Sequence, residues 1–594
     1  LKKAAIYIVL YLLAMDCCAQ YYLRGEIKND KNEYLQNVKI VLHSDKMLYY
    51  SGNTGGFGIS CSKPQDSVTL TLDGYEVKTV MVKAGPLIEI TMKPLSSNAS
   101  RNRPKLISIT KDQAFQSRHN WFVGDESYFA LVENEVVNAE KFPNTGFSLN
   151  INKASYSNIR RFLHMNSVVP PDAVRVEELL NYFNLNYKEP AANELFSIES
   201  NMAGCPWNDS KRLLYLNINA RKLDMDKVPP SNLVFLIDAS GSMDMPNRMP
   251  MVKAAFQMLV KNLRPVDTVS IVLYGGATAV WLQPTSGAEK QKIIQSIEEL
   301  TASGDTPGES AIKLAYNVAR HTFIKNGNNR VILATDGDFN VGEVSEKALE
   351  DLITRERQSG VYLTCLGVGM GNFKDSKLET LAKRGNGNYA YLDDIREAEK
   401  VLVKEMTQTF YSVADDVFLN VEFNEALVKD YRLIGFDNKR DAVADSTGTL
   451  DGGEIGSGNS VLAIFEFTPQ QPDSILNNTL LTQSLAKVSL RYTPVNTKDS
   501  RHMIYQCMGP VKQFSALDKQ LQFGTSVAMF GMQLRHSKYL PVKNDWDVIY
   551  AIAQQSHDPN DYLQKEFTTL VDAAKKLYSK SKNKKRKKDE EEEE

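Results

Sequence analysis

The sequence predicts a multidomain α/β protein with a doubly wound parallel sheet at its centre, β-sandwich segments on its flanks and a helical C-terminal region. Three observations predict it. Strand-like and helix-like runs alternate between residues 231 and 411; short period-two runs punctuated by Gly, Asn and Asp lie on both sides; apolar residues near the C-terminus recur at helical spacing. The 594 residues, 42% hydrophobic and 24% charged, hold enough apolar material for several cores. Lys and Arg number 70 and Asp and Glu 72, a net charge of −2. That balance excludes a whole-chain nucleic-acid binder, which needs a basic field.

At the N-terminus Lys2 and Lys3 precede an apolar run from Ala4 to Met15, followed by Cys17, Cys18 and Ala19. This is the layout of a secretory signal peptide over residues 1–20, with an uncut anchor as the alternative. The expected destination is the periplasm, the outer-membrane surface or the extracellular space. No later stretch approaches 18 apolar residues, so the mature chain is expected to have no transmembrane span. Cys61, Cys205, Cys365 and Cys507 lie far apart, without zinc-ribbon spacing, and are expected as buried free thiols.

Residues 21–93 read as a small β-sandwich, since YYLRGEI, VKIVL, FGISC and SVTLTL alternate apolar and polar residues between glycine-rich turns such as GNTGGFG. Residues 94–143, with SSNASRNRP, read as a linker, and 144–230 as a segment leading into the central domain at 231–411. After it, DDVFLNVEF, YRLIGF, SVLAIFEF and AKVSLRY make 412–510 β-rich. FSIES and RLLYLNINA from before the central domain are expected to complete that sandwich, which makes the central domain an insertion. FGTSVAMFGMQL and WDVIYAIAQQ predict helices in 511–578, with Met529 and Met532 in the core. The basic and acidic blocks at 579–594 are expected to form a disordered, solubilising tail.

Within the central domain NLVFLID runs into DASGSM, as a buried parallel strand does when it breaks into a loop at its carboxyl end. Helices near 249–263, 289–300, 309–324, 345–358, 374–384 and 395–410 and strands near 268–273, 330–333, 361–366 and 388–392 follow. Ligands in such sheets bind beyond the carboxyl ends of the strands. Three loops on that edge carry oxygen side chains: Asp238, Ser240 and Ser242; Thr306 in SGDTPGES; Asp336 at the end of RVILATDGDFN. Carboxylates and hydroxyls without His or Cys suit a hard cation, Mg2+ above all, with Mn2+ or Ca2+ as substitutes. The alternative is that these residues only form turns and helix caps. Gly369, Gly371, Gly385 and Gly387 lack the spacing of a dinucleotide or P-loop cradle and are expected at turns and helix ends. The seven histidines are scattered, and neither a GxSxG elbow nor an HExxH helix occurs.

DASGSM, GDT and ATDGD, in this order among alternating strands and helices, resemble the metal-ion-dependent adhesion site of a von Willebrand factor type A domain, a Rossmann-like fold. The resemblance implies Ser240 and Ser242 as direct ligands, Thr306 as a direct or water-mediated one, and Asp238 and Asp336 as mainly water-linked. Residues 145–190, NNRVILATDGDFNVGEVS, LGVGMGNFKDSKLETLAKRGNGNYAYLD and YRLIGFDNKR resemble, over about 144–575, a bacterial family of exported proteins with such a domain. Asn459 in EIGSGNSV departs from it, standing where a histidine is expected. The order Gly25-Glu26-Ile27, Asn37 to Ile40, Gly55-Gly56-Phe57 and Asp73 to Glu76 resembles a carboxypeptidase-regulatory-like β-sandwich, which implies a spacer or docking module.

These readings together predict a non-enzymatic, adhesion-type binding module of the cell envelope. Its cation would bridge to a carboxylate of a partner protein that the sequence does not identify. The alternatives are an accessory subunit of an ATP-driven AAA+ assembly and, with no evident general base beside the site, a metal-dependent hydrolase.

Overall fold

The computed structural model describes residues 21–93 apart from 37, 45–47, 53–54, 62 and 73–74. It also describes 126–593 apart from 127, 129–130, 225–226, 276–277, 303, 305–307, 338–345, 371–373, 437–452, 496, 498 and 541–545. The leader at 1–20, SSNASRNRP and Thr306 lie outside the described residues. The chain divides into two compact units, 1–111 and 112–594.

In the first unit Tyr21–Asn29 pairs antiparallel with Gly56–Cys61 and parallel with Leu87–Met92. A second sheet runs in the order Leu48–Tyr50, Lys39–Leu42, Gln65–Thr71, Lys78–Lys83. Leu23, Ile27, Ile40, Val68, Leu70 and Ile90 from the two sheets share one core. Their period-two spacing is the alternation seen in the sequence.

The second unit is built around a six-stranded sheet. Its strands are β1 (Ser231–Asp238), β2 (Thr268–Tyr274), β3 (Ala279–Ser286), β4 (Asn328–Thr335), β5 (Tyr362–Gly367) and β6 (Tyr389–Tyr391), in the order β3-β2-β1-β4-β5-β6. All neighbours are parallel except the β2–β3 pair. All eight residues of β1 are buried, because helices cover both faces. Leu233, Phe235 and Ile237 point to the face of α1 (Met249–Lys261) and α2 (Lys290–Glu298). Val234 and Leu236 point to that of α3 (Gly308–His321), α4 (Glu346–Arg357) and α5 (Asp375–Arg384). The strand order reverses between β1 and β4, and such a switch point opens a crevice at the carboxyl ends of those two strands. The alternation of elements did not predict β3. It carries Pro284 and the half-exposed Trp281, residues an edge strand tolerates and a central strand does not.

The flanks interleave. Strands Phe196–Gly204 and Arg212–Ala220, which precede the central domain, form one sheet with Ser460–Pro469 and Val428–Ile434, which follow it. Arg212 stands opposite Phe467. A second sheet of Ser412–Phe423, Ala486–Pro494, Arg501–Cys507, Gly453–Gly456 and Asn144–Ser148 packs on the same core through Val421, Val488 and Leu490. The central domain is thus inserted between strands of one β body. A separate helical core joins Phe162, Leu180 and Phe183 from before the insertion to Phe523, Phe530 and Phe567 from after it. Met529 and Met532 are buried there.

Two expectations need correction. The described end of the 94–143 segment is not a linker: Val137–Asn138 adds to a sheet edge, and Val137 and Ala139 are buried. The Asn134 amide donates to the carbonyls of Leu433, Gly435 and Phe436 and fixes the approach. The charged tail continues the last helix, Tyr562–Glu593; Lys, Arg and Glu are all strong helix formers. Cys205, Cys365 and Cys507 are buried free thiols. Among the described residues no helix is long and apolar enough to cross a membrane.

Candidate metal centre

Asp238 is the last residue of β1 and Asp336 directly follows β4, so the switch point brings two carboxylates together from residues 98 apart in sequence. Both are buried, Asp336 completely. The loop after Asp238 turns back at once: the Ser240 amide donates to Asp238 Oδ1 at 2.9 Å, and residues Gly241–Met243 make one 3-10 turn. Asp238 Oδ2 accepts from the Thr335 hydroxyl at 2.8 Å. Burial pushes the Asp238 carboxyl up from its ordinary pKa against the pull of the Ser240 and Thr335 hydrogen bonds, with Asp336 adding repulsion.

The hydroxyls of Ser240 and Ser242 lie 3.0 Å apart, both on half-buried residues, so they face the solvent side of the two acids. This is a hydrogen bond between the two hydroxyls, and its length is also the spacing of two oxygens on adjacent corners of an octahedron with Mg2+ bonds of about 2.0–2.1 Å. The donor set therefore fits a small hard cation: hydroxyl oxygens outside, buried carboxylates behind, no nitrogen or sulfur. Among the described residues no group of three or more His, Cys, Asp or Glu could hold a metal ion, here or elsewhere.

Neighbouring loops fix this geometry. The Ala239 amide donates to the Tyr274 carbonyl at the end of β2. Gly275 has φ +139°, and a Cβ there would stand 2.3 Å from the Ala239 carbonyl carbon. Only glycine lets the β2 loop lie this close. The Gly241 amide donates to the Gly304 carbonyl at 3.0 Å, which holds Gly304 against the serine loop. Thr306 itself lies outside the described residues.

Arg248 carries no signal in the sequence. This residue, at the start of α1, is buried, and its Nη1 donates to Asp336 Oδ2 and, at 2.8 Å, to the Ser242 carbonyl. Nη2 donates to the Met370 carbonyl at 2.9 Å. A Cβ on Gly369, whose φ is +80°, would come within 2.5 Å of Arg248 Nε. GVGMG thus makes room for a guanidinium, and a lone arginine in DMPNRMP carries no pattern by which to find it. Thr335 and Tyr274, which touch Asp238, were likewise hidden in apolar strands.

Residues 232–404 match the family model of the von Willebrand factor type A domain, and 123–215 match one described as von Willebrand factor. Residues 408–577 match that of uncharacterized protein YfbK, C-terminal. Uncharacterized protein YfbK of Escherichia coli (strain K12) is 38% identical over 472 residues, 76% of this chain and 81% of that protein. Inter-alpha-trypsin inhibitor heavy chain H2 of Sus scrofa is 27% identical over 36% of this chain, which spans 23% of its length. A solved von Willebrand factor type A protein from Catenulispora acidiphila gives a TM-score of 0.38 at 14% identity, covering 65% of this chain and 91% of that one.

Proposed function

This chain belongs to the family of the uncharacterized bacterial protein YfbK, with a von Willebrand factor type A domain at its centre, and we propose that it is a metal-dependent protein-binding module of the cell envelope. Domains of this type typically mediate protein–protein interaction. The observation that carries the reading is the pair of serine hydroxyls 3.0 Å apart in front of Asp238 and Asp336 at the switch point. Ser240 and Ser242 would hold Mg2+ directly and Thr306 directly or through water, with Asp238 and Asp336 behind them mainly through water. The cation would supply an electrophilic position for a Glu or Asp side chain of a partner. Ser240 and Ser242 bring neutral oxygens, which leave that position electron-poor; the acids orient the loop and balance charge.

No enzymatic activity is proposed, since none of the seven histidines lies in the serine loop or beside either acid in sequence. The first unit, read as a carboxypeptidase-regulatory-like sandwich following an export signal, would act as a spacer. Crosslinking in intact cells followed by mass spectrometry tests the proposal. A partner captured by wild type and lost both in EDTA and in Asp238→Ala supports it; a partner set unchanged by both treatments refutes it.

A further inference from the structure

We infer that Arg248 sets the charge of the metal centre so that cation and acidic ligand bind cooperatively. The inference rests on the metal-binding reading above and adds a residue to it. Asp238, Asp336 and Arg248 are the buried charged side chains described at the site, and together they carry one negative charge. Added to these three described groups, a divalent cation gives one positive charge, which a single carboxylate then neutralises. Without Arg248 the same cation would give a neutral site, and capture of a carboxylate would leave a buried negative charge, which is costly.

Arg248 is placed to do this permanently. Its guanidinium is held by the Ser242 and Met370 carbonyls, and its stem is packed against Gly369. An arginine keeps its charge at any accessible pH, and five donors in a fixed fork suit one carboxylate and two carbonyls at once. The ion pair takes up Asp336 Oδ2, which lowers the negative potential that the acid offers a cation. The bare cation is therefore held weakly, and an acidic ligand and the cation each raise the affinity for the other by the same factor.

The test is titration of the full chain with Mn2+, with free ion counted by electron paramagnetic resonance, without acetate and with it. Wild type is expected to bind Mn2+ several-fold tighter when acetate is present. Arg248→Gln is expected to bind Mn2+ alone at least tenfold tighter than wild type and to lose most of the acetate effect, while Arg248→Lys, which keeps the charge but not the fork, stays closer to wild type in both. Mn2+ binding that Asp238→Asn abolishes, but that neither acetate nor Arg248→Gln alters, overturns the role of Arg248 alone. Absence of Mn2+ binding in wild type overturns the metal centre and this inference together. If Arg248→Gln does not fold, the absence of any acetate effect in wild type still overturns the inference.

Discussion

The joint between the central domain and the β body yields a prediction whose sign can be worked out. Arg330, at the start of β4, and Glu454, on Gly453–Gly456, are both buried, with Nη2 donating to Oε1 at 3.0 Å. Among the described residues neither Glu454 Oε2 nor Arg330 Nε has a hydrogen-bond partner. At an effective dielectric of about 20 the pair attracts by about 5 kcal/mol. Burying two ions costs several kcal/mol each. Burial outweighs Arg330, Asp415 adds repulsion, and the Glu454 pKa rises from 4.5 to about 7. Between those values the folded chain binds more protons than the unfolded one, so stability falls as pH rises. The contribution is complete below pH 4.5 and is lost through pH 7, about 3 kcal/mol in all. Glu454→Gln keeps the shape of the protonated acid. Urea unfolding followed by circular dichroism is expected to give equal stabilities at pH 4 and a variant about 3 kcal/mol more stable than wild type at pH 8. A variant less stable by about 3–5 kcal/mol at pH 8 would instead mean that the buried pair is net favourable.

Mg2+ at about 100 times its Kd is expected to stabilise wild type by about 2.7 kcal/mol and Asp238→Asn not at all, read as the shift in urea midpoint with and without EDTA. Gly275→Ala forces φ +139° and a 2.3 Å contact on a residue with a Cβ; it is expected to cost about 1–3 kcal/mol and to displace the serine loop. Mn2+ titration then shows weakened binding; wild-type affinity would mean that the two loops are not coupled. Arg160 binds Asp393 at 2.5 Å, Glu397 at 2.7 Å and Glu566 at 2.9 Å. Arg160→Met leaves these acids without that cation, so unfolding at pH 8 should show a loss of about 3–5 kcal/mol that shrinks toward pH 5 as Asp393, whose pKa burial already raises to about 6, protonates.

Those parts of the fold that depend on local pattern could be read from the sequence. An apolar run ending in an acid marks a parallel strand at its carboxyl end, and both Asp238 and Asp336 lie there. The resemblance supplied the rest of the ligand set. Parts that depend on distant partners could not be read. Val137 finds its place only because Tyr431, 294 residues on, offers an edge. Arg248 matters only because Gly369 and Asp336 meet it from two other strand ends. A single charged residue in a loop looks the same whether it is solvated or clamped, and only the fold distinguishes the two.

One run of contacts shows why the central domain and its flanks belong together. Arg161, on the flanking helix Ala154–His164, pairs with Glu126 and lies 5.1 Å from the Tyr391 ring centroid. The Tyr391 hydroxyl donates to the Gly369 carbonyl. Gly369 abuts Arg248, which pairs with Asp336. The turn that clamps Arg248 is therefore supported from behind by a side chain of β6 that the flanking helix covers. Arginine on an aromatic face and a buried phenol with its hydrogen bond made are both rigid arrangements. A type A domain without the flank would keep every proposed oxygen ligand and lose this backing, so the position of the guanidinium is a property of the whole second unit. The ligand motif alone therefore cannot fix the charge of the site, which depends on a residue that the flank helps hold in place.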